Sequence, residues 1–171
     1  MLKVMQIGLG PLGQKIIRYV SQREGLQLVG AVDIDPNKVG SDLGELCNLE
    51  PLGILVSGNL TAANADAEVA VLATVSSLAQ IEYQIMELAE NGLNIVSTCE
   101  ELSHPWNTNS EIARNIDRIC KENNVACVGT GVNPGFLMEY LPTVLTSVCR
   151  NVEQIRVERI QDASTRRIPF Q

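Results

Sequence analysis

Three glycines near the N-terminus have the spacing that binding of a diphosphate requires. Gly8, Gly10 and Gly13 form a G-x-G-x-x-G pattern, with Pro11 and Leu12 between the last two glycines. In dinucleotide-binding turns the first glycine makes the tight turn, the second lets a pyrophosphate approach the backbone, and the third packs the helix on the strand. Proline suits the first position of a helix, whose free N–H groups attract phosphate. We predict that all five residues bind a dinucleotide; the alternative is an ordinary strand–helix turn.

A carboxylate follows at the position of a ribose-binding acid. Asp33 ends the second apolar run, residues 27–33, and comes twenty residues after Gly13. An acid at this point accepts hydrogen bonds from the adenosine ribose. Because Asp33 and Asp35 would repel a 2′-phosphate, we predict NAD as the cofactor. Lys38 keeps NADP possible, and the alternative for Asp33 is a solvated loop acid.

Further candidates follow the fourth and fifth predicted strands. Thr74 and Ser76 offer hydroxyl groups where a cofactor ribose would pass, or they only cap the next helix. Cys99 is placed to line a nicotinamide pocket, but a structural thiol is an equal interpretation because no neighbouring base marks a nucleophile. Glu100 and Glu101 are adjacent, so one is a candidate acid/base or ammonium-binding carboxylate and the other is expected to be solvated. We assign the catalytic role to Glu100.

The stretch Gly129-Thr-Gly-Val-Asn-Pro-Gly follows the sixth predicted strand. Gly131 lets the backbone approach a ring, and we assign it to cofactor binding. Asn133 is held extended by Pro134, so it can cap the helix that Pro134 opens while its amide meets a carboxamide or carboxylate. We assign Asn133 to catalysis; a pure helix start is a compatible alternative.

Parallel strands are needed to bring these residues together. Short apolar runs predict six strands, at 4–7, 27–33, 54–56, 67–74, 94–98 and 125–128, and the segments between most of them have helical spacing. Alternation of strands and helices indicates an α/β fold, a doubly wound parallel sheet of the Rossmann type. Ligands of such a sheet lie outside the carboxyl ends of its strands, where the candidates fall. Ser76 or Ser77 and a Thr108–Glu111 capping box are the predicted helix starts.

The last part of the chain follows a different pattern. Residues 1–150 are predicted to form the dinucleotide-binding domain, whereas 151–171 are predicted to be the first strand and loop of a second, α+β domain that is otherwise absent. The alternation from Val152 to Ile160 is typical of an antiparallel strand with one wet face. From about Asp162 onward we expect poor order, or association of chains through this strand.

Composition excludes several classes of function. The chain has 171 residues, a net charge of −7 and no basic cluster, so we expect neither nucleic acid nor a membrane as a partner. The apolar runs are too short to span a bilayer and no signal peptide precedes the first strand, so we predict a cytoplasmic protein. Five cysteines without a C-x-x-C, beside one histidine, offer no zinc set. We predict reduced thiols and no metal.

Five stretches together resemble the N-terminal part of the 2,4-diaminopentanoate dehydrogenases, within the wider dihydrodipicolinate reductase-like group. They are Gly8–Gly13, Ala31–Asp35, Ser97–Trp106, Gly129–Phe136 and Asp162–Gln171. The resemblance covers nearly the whole chain. It implies NAD(P)-dependent oxidative deamination of a small diamino acid in ornithine breakdown, with much of the substrate site in a C-terminal domain. We also expect a homo-oligomer in the full-length form.

The leading hypothesis is an amine dehydrogenase: hydride leaves the amine-bearing carbon for the nicotinamide, and the imine is then hydrolysed. Two other functions fit the same residues. One is reduction of a cyclic imine, as in dihydrodipicolinate reduction. The other is a non-catalytic module that senses a dinucleotide, which predicts cofactor binding without turnover.

Overall fold

A six-stranded parallel sheet forms the centre of the molecule. The computed structural model describes residues 1–63, 66–160 and 162. Its strands are β1 (Leu2–Ile7), β2 (Leu26–Val32), β3 (Val56–Ser57), β4 (Val69–Leu72), β5 (Asn94–Ser97) and β6 (Cys127–Gly129). They lie in the order β3-β2-β1-β4-β5-β6, and every neighbouring pair is parallel. The order reverses direction between β1 and β4, as in a doubly wound sheet, so the predicted fold class is confirmed.

A helix connects each strand to the next, and a further helix follows β6. The helices are α1 (Pro11–Val20), α2 (Leu43–Leu46), α3 (Leu60–Ala63), α4 (Leu78–Glu90), α5 (Ser110–Glu122) and α6 (Leu141–Thr146). The helical spacing of Leu78, Ile81, Ile85 and Leu88 predicts one apolar stripe on α4. This stripe is buried, and it packs with α5 residues in one core cluster. A second cluster joins Leu9 and Ile17 to residues of α2, β2 and β3. Two clusters are what a sheet covered on both faces requires. None of the described helices is long and apolar enough to cross a membrane.

Two helix starts differ from the sequence prediction. The N-cap of α5 is Asn109 rather than Thr108 of the predicted capping box, and neither Asn109 nor Ser77 before α4 caps its helix through its side chain. Instead, the Oε2 atom of Glu101 accepts the backbone N–H of Leu78 at 2.7 Å. The sequence predicts that the second glutamate is only solvated. Glu101 is exposed, but it also makes this hydrogen bond, because the loop after β5 lies beside the start of α4. A carboxylate from a neighbouring loop thus replaces the local serine cap.

The helix predicted to open at Pro134 begins later. Hydrogen bonds of π-helical type span Val132–Tyr140, but Asn133, Pro134 and Gly135 have non-helical torsions. Helical torsions therefore follow Gly135, whose φ of 128° favours glycine. The sequence predicts that Pro142 bends this helix, and Pro142 lies where the π-helical segment passes into α6, in the first turn of α6.

Residues 151–160 form neither helix nor strand, and most of them are exposed. The strand predicted from Val152 to Ile160 is therefore not found: no described backbone segment pairs with it, and an isolated strand is not stable in water. The poor order predicted from about Asp162 onward concerns mainly residues 163–171, which lie outside the described part of the chain. The division into domains at residue 150 stays a prediction.

One side chain organises the loop before β3. The carboxylate of Asp42 accepts backbone hydrogen bonds from Gly44, Glu45 and Leu52 at its Oδ1 atom, and from Gly53 at its Oδ2 atom. The hydrogen bond from Leu52 makes the largest contribution to lowering the pKa of Asp42 below its usual 3.8. Asp42 therefore stabilises the fold at every pH above its usual pKa, and this stabilisation is lost as the pH falls below 3.8 through the folded-state value.

Replacing Asp42 by asparagine is therefore expected to lower the melting temperature at pH 7, because the amide nitrogen cannot accept a hydrogen bond. The difference from wild type should shrink as the pH falls below 3.8. Thermal melts followed by circular dichroism across this pH range measure both effects. Asp117→Asn is a matched control, since the carboxylate of Asp117 forms an exposed pair with Lys121 within α5. A pH-independent difference would contradict the assignment.

Candidate functional site

The strand ends bring four predicted loops to one edge of the sheet. Ile7 of β1 is in register with Leu72 of β4, Leu72 with Ser97 of β5, and Ser97 with Gly129 of β6. The loops that follow these residues hold the glycine turn, Thr74 and Ser76, Cys99 and Glu100, and the stretch with Gly131 and Asn133. Because β1 and β4 flank the point where the strand order reverses, this edge is where a ligand is expected.

Each glycine of the turn meets a different constraint. Gly8 has φ of 87°, and a Cβ atom on it would lie 2.7 Å from the carbonyl oxygen of Ala73. A Cβ atom on Gly13 would lie 2.0 Å from the carbonyl oxygen of Gly8, so α1 packs directly on the turn. A Cβ atom on Gly10 would meet nothing within 4 Å. Gly8 and Gly13 are thus required by the fold, whereas Gly10 borders open space at the N-terminus of α1.

Asp33 is 9% exposed and holds the loops together at this edge. Its Oδ2 atom accepts the backbone N–H of Leu9 at 2.7 Å and the ammonium of Lys38 at 3.0 Å. Its Oδ1 atom accepts the backbone N–H of Asp35 at 2.9 Å. The acid predicted for ribose binding is therefore tied directly to the glycine turn.

Electrostatics keeps Asp33 ionised. Burial raises the pKa of its carboxyl group, but the hydrogen bonds from the Asp35 and Leu9 backbone and the Lys38 ammonium outweigh burial and lower the pKa. Lys38 also lies 3.6 Å from the Oδ2 atom of Asp35. A charged acceptor is thus available at neutral pH, with a cation beside it.

A cleft of about 590 Å³ joins part of the predicted site. Gly8, Gly10, Asp33, Lys38 and Thr74 all line it. Lys38 is the one cation among the lining residues that the structure describes. Further lining residues that sequence reasoning missed are Ile34, Gly58, Asn59, Leu60, Val75, Tyr83, Gln84, Glu87 and Leu88. Gly58 and Asn59 directly follow β3, so their position at a strand end is a signal that could have found them.

The residues after β4 separate into two groups. Thr74 lies in the cleft and donates a hydrogen bond from its hydroxyl to Gln84 at 2.8 Å. Ser76 uses its backbone carbonyl to accept the thiol of Cys99 at 3.1 Å. Cys99 is 1% exposed and belongs to the core cluster of α4 and α5, and burial raises the pKa of its thiol. The geometry is that of a structural thiol, the alternative that the sequence leaves open.

Alkylation tests the position of Cys99. Iodoacetamide at pH 8 is expected to modify the exposed Cys149 first and Cys99 only after unfolding, because a buried thiol with a raised pKa forms little accessible thiolate. Peptide mass spectrometry over time, with and without NADH, measures both rates. Labelling of Cys99 as fast as Cys149, with protection by NADH, would instead support the predicted nicotinamide contact.

The candidates beyond β5 and β6 lie outside the cleft. Glu100 is half-buried and begins a 3-10 turn, Glu100–Leu102. Gly131 is exposed, and its carbonyl accepts the backbone N–H of Phe136 at 3.0 Å. The Oδ1 atom of Asn133 is buried and has no hydrogen-bond partner in the described chain. These three residues therefore follow strands of the same sheet edge, but none of them lines the cleft.

A family model described as dihydrodipicolinate reductase, N-terminus, matches residues 2–124. The chain belongs to this family. The matched range contains the glycine turn, Asp33, Lys38 and the whole of the cleft.

Individual members of the wider group agree with the resemblance read from the motifs, which is confirmed. A 2,4-diaminopentanoate dehydrogenase from Acetoanaerobium sticklandii is 29% identical over 168 residues, covering 95% of this chain and 47% of the relative. An amine dehydrogenase from Streptomyces virginiae is 27% identical over 170 residues, covering 96% and 47%. The solved amine dehydrogenase from Mycobacterium smegmatis superposes with a TM-score of 0.77 at 29% identity, covering 87% of this chain and 45% of that one. The chain spans about half the length of these relatives.

Proposed function

We propose that this chain is the dinucleotide-binding half of an NAD-dependent dehydrogenase that oxidatively deaminates a small diamino acid, of the 2,4-diaminopentanoate type, in ornithine breakdown. The observation that carries the proposal is that Gly8, Gly10 and Asp33 line one cleft at the reversal point of the sheet. The names of the relatives, a diaminopentanoate dehydrogenase and amine dehydrogenases, support the reaction class.

The residues of the cleft fit a dinucleotide. The open space at Gly10 and the N-terminus of α1 suit a pyrophosphate, because backbone N–H groups there have no internal partner. Pro11 and Leu12 form the first turn of α1, and Gly13 packs that turn on the strand. Asp33 would accept the hydroxyl groups of the adenosine ribose. Thr74 would lie against the same ligand from β4.

When bound, NAD supplies a hydride acceptor for the amine-bearing carbon. The chain's own share is to orient the reactants and to hold protons and charges beside them. We assign Glu100 to binding or deprotonating the substrate ammonium. We assign Asn133 to accepting an N–H group of the ligand, because its buried Oδ1 atom lacks a partner in the described chain. Ser76, Cys99 and Gly131 are the remaining proposed cofactor contacts, of which Cys99 has the least geometric support.

The preference for NAD over NADP, the amino-acid substrate, a homo-oligomeric full-length form and the cytoplasmic location are parts of the same proposal. All five cysteines are free, and three of them are buried. Reduced thiols of this kind are typical of proteins from a reducing compartment. Light scattering after size-exclusion chromatography measures the oligomeric state directly.

Calorimetric titration of the 171-residue chain with NADH tests cofactor binding. Activity is then measured on this chain and on the complete product of its gene, with 2,4-diaminopentanoate and NAD as substrates. We expect NADH binding by the chain and turnover by the complete product, with near-zero turnover by the chain alone, since misplacement of a substrate costs orders of magnitude in rate. Absence of NADH binding would refute the proposal at its first step.

The same assay separates the two competing functions. Reduction of the cyclic imine dihydrodipicolinate, without oxidation of 2,4-diaminopentanoate, would assign the protein to the reductases that the family model describes. NADH binding without turnover by the complete product on either substrate would favour a sensing module. Full turnover by the 171-residue chain would mean that all catalytic groups lie in the four strand-end loops.

A further inference from the structure

A fully buried glutamine lies under the glycine turn. Gln6 is in β1, two residues before Gly8, and is 1% exposed. Its Nε2 atom donates to the carbonyl oxygen of Gly8 at 3.0 Å and to that of Ile7 at 3.2 Å. Both neighbours are carbonyl oxygens, which only accept, so the orientation of the amide follows from its partners.

The hydrogen bond to Gly8 fixes one end of a peptide group whose other end reaches Asp33. The carbonyl of Gly8 accepts from Gln6, and the N–H of the next residue, Leu9, donates to the Oδ2 atom of Asp33 at 2.7 Å. The C=O and N–H of a planar trans peptide point in opposite directions, so holding the carbonyl inward aims the N–H at the carboxylate. Ile7 does not depend on Gln6 in this way, because its carbonyl also accepts the N–H of Ala73 at 2.9 Å.

We propose that Gln6 is a positioning residue for the cofactor: it sets the Gly8–Leu9 peptide plane and, through the N–H of Leu9, the orientation of the Asp33 carboxylate. It does not touch the ligand itself. The inference rests on the proposed function only in its last step, from the carboxylate to NAD. Its first steps concern the chain alone.

The surroundings of Gln6 argue against a role in stability alone. Its Oε1 atom is buried and has no hydrogen-bond partner in the described chain. A buried acceptor without a partner lowers stability, so an apolar residue of similar size would serve the interior of β1 as well. What an apolar residue cannot do is satisfy the carbonyl of Gly8, for which Gln6 is the hydrogen-bond donor found among the described residues. The glutamine is thus suited to the turn rather than to the strand.

The test compares Gln6→Leu with wild type, first without cofactor. In two-dimensional NMR spectra, the amide proton of Leu9 in the wild-type chain should shift as the pH is lowered through the titration of Asp33. In the variant this response should be lost, while the melting temperature changes little. Gln27→Leu is the matched control, because Gln27 is an exposed strand residue of β2, and it should behave as wild type. An unchanged Leu9 response in Gln6→Leu would overturn the proposal.

Cofactor binding supplies the second readout. We expect Gln6→Leu to weaken NADH binding about tenfold in the wild-type background but less than about twofold in an Asp33→Ala background, because contacts that act in series are not additive. Equal losses in both backgrounds, or no loss in either, would overturn the positioning role. If wild type itself fails to bind NADH, the proposed function fails, and the Leu9 response still decides the first steps.

A second variant covers the case in which Gln6→Leu does not fold. Gln6→Glu keeps the shape of the side chain, and its carboxyl group donates to the carbonyl of Gly8 only when it is protonated. NADH affinity of this variant should therefore fall as the pH rises through the titration of the new carboxyl group, whereas wild-type affinity should not. A flat pH profile, equal to that of wild type, would contradict the proposal.

Discussion

Replacing Gly10 by valine is expected to abolish NADH binding and to leave the fold intact. In the structure a Cβ atom at this position would meet nothing within 4 Å, and the backbone has an extended conformation that valine readily adopts. The added side chain would instead occupy the space that a pyrophosphate needs. We expect the affinity to fall by at least roughly a hundredfold, which corresponds to about 2.7 kcal/mol of binding free energy. Calorimetry measures the affinity, and a thermal melt measures stability.

Gly13→Ala is the matched control, because it should give the opposite result. A Cβ atom there would lie 2.0 Å from the carbonyl oxygen of Gly8, so α1 must move away from the turn. Overpacking of this kind costs about 1–3 kcal/mol of stability. The melting temperature of Gly13→Ala should therefore fall, while that of Gly10→Val should not. If Gly10→Val binds NADH as wild type does, the pyrophosphate lies elsewhere and the site assignment is wrong.

The contrast between these glycines explains why this part of the site could be predicted from the sequence. The tight turn, the close contact of the helix with the turn and the approach of a ligand to the backbone each require a residue without a side chain. These three positions have a fixed spacing within one short stretch, so the glycine pattern can be recognised in the sequence. The position of Asp33 could also be predicted from the sequence, because a strand that ends in an acidic residue places that residue at the edge of the sheet where ligands bind. The apolar stripe of α4 is found for the same reason: its period reports burial.

Other features depend on contacts between distant parts of the chain. Tyr83 and Gln84 line the cleft from the middle of α4, where no strand-end pattern marks them. Glu101 caps α4 although Ser77 is the better local candidate, since loop packing brings the Glu101 carboxylate to 2.7 Å from the backbone nitrogen of Leu78. Gln6 lies within an otherwise apolar run, and only its hydrogen bonds to the carbonyl oxygens of Ile7 and Gly8 indicate a role beyond filling the core. Such roles follow from three-dimensional proximity, which a single sequence does not encode locally.

The strand predicted at Val152–Ile160 fails for a related reason. Alternation reports which side of a strand would be buried, but a strand also requires a partner backbone. The described chain pairs none with these residues, and they remain without regular structure. The pattern therefore describes what the residues can form rather than what this chain provides.

Asp33 and Lys38 are expected to set the choice between NAD and NADP. The carboxylate of Asp33 already accepts three hydrogen bonds, two at Oδ2 and one at Oδ1. With about four acceptor positions on a carboxylate, one is left for a ribose that brings two hydroxyl groups. When NAD binds, the ammonium of Lys38 must therefore move away from the Asp33 carboxylate or share an acceptor position with the ribose. When NADP binds, the same ammonium would pair with the 2′-phosphate. The two residues thus act in opposite directions on the same cofactor group.

Two substitutions separate these effects. Asp33→Ser should weaken NADH binding about tenfold and strengthen NADPH binding, because it removes a repulsive charge and keeps a hydroxyl donor. Lys38→Ala should leave NADH binding unchanged or tighter, since it frees one acceptor of Asp33, and should weaken NADPH binding about tenfold. Titration of both variants with both reduced cofactors, beside thermal melts that check folding, measures the four affinities. The opposite result is that wild type prefers NADPH several-fold and that Lys38→Ala loses this preference. It would show that Lys38 rather than Asp33 determines the cofactor preference.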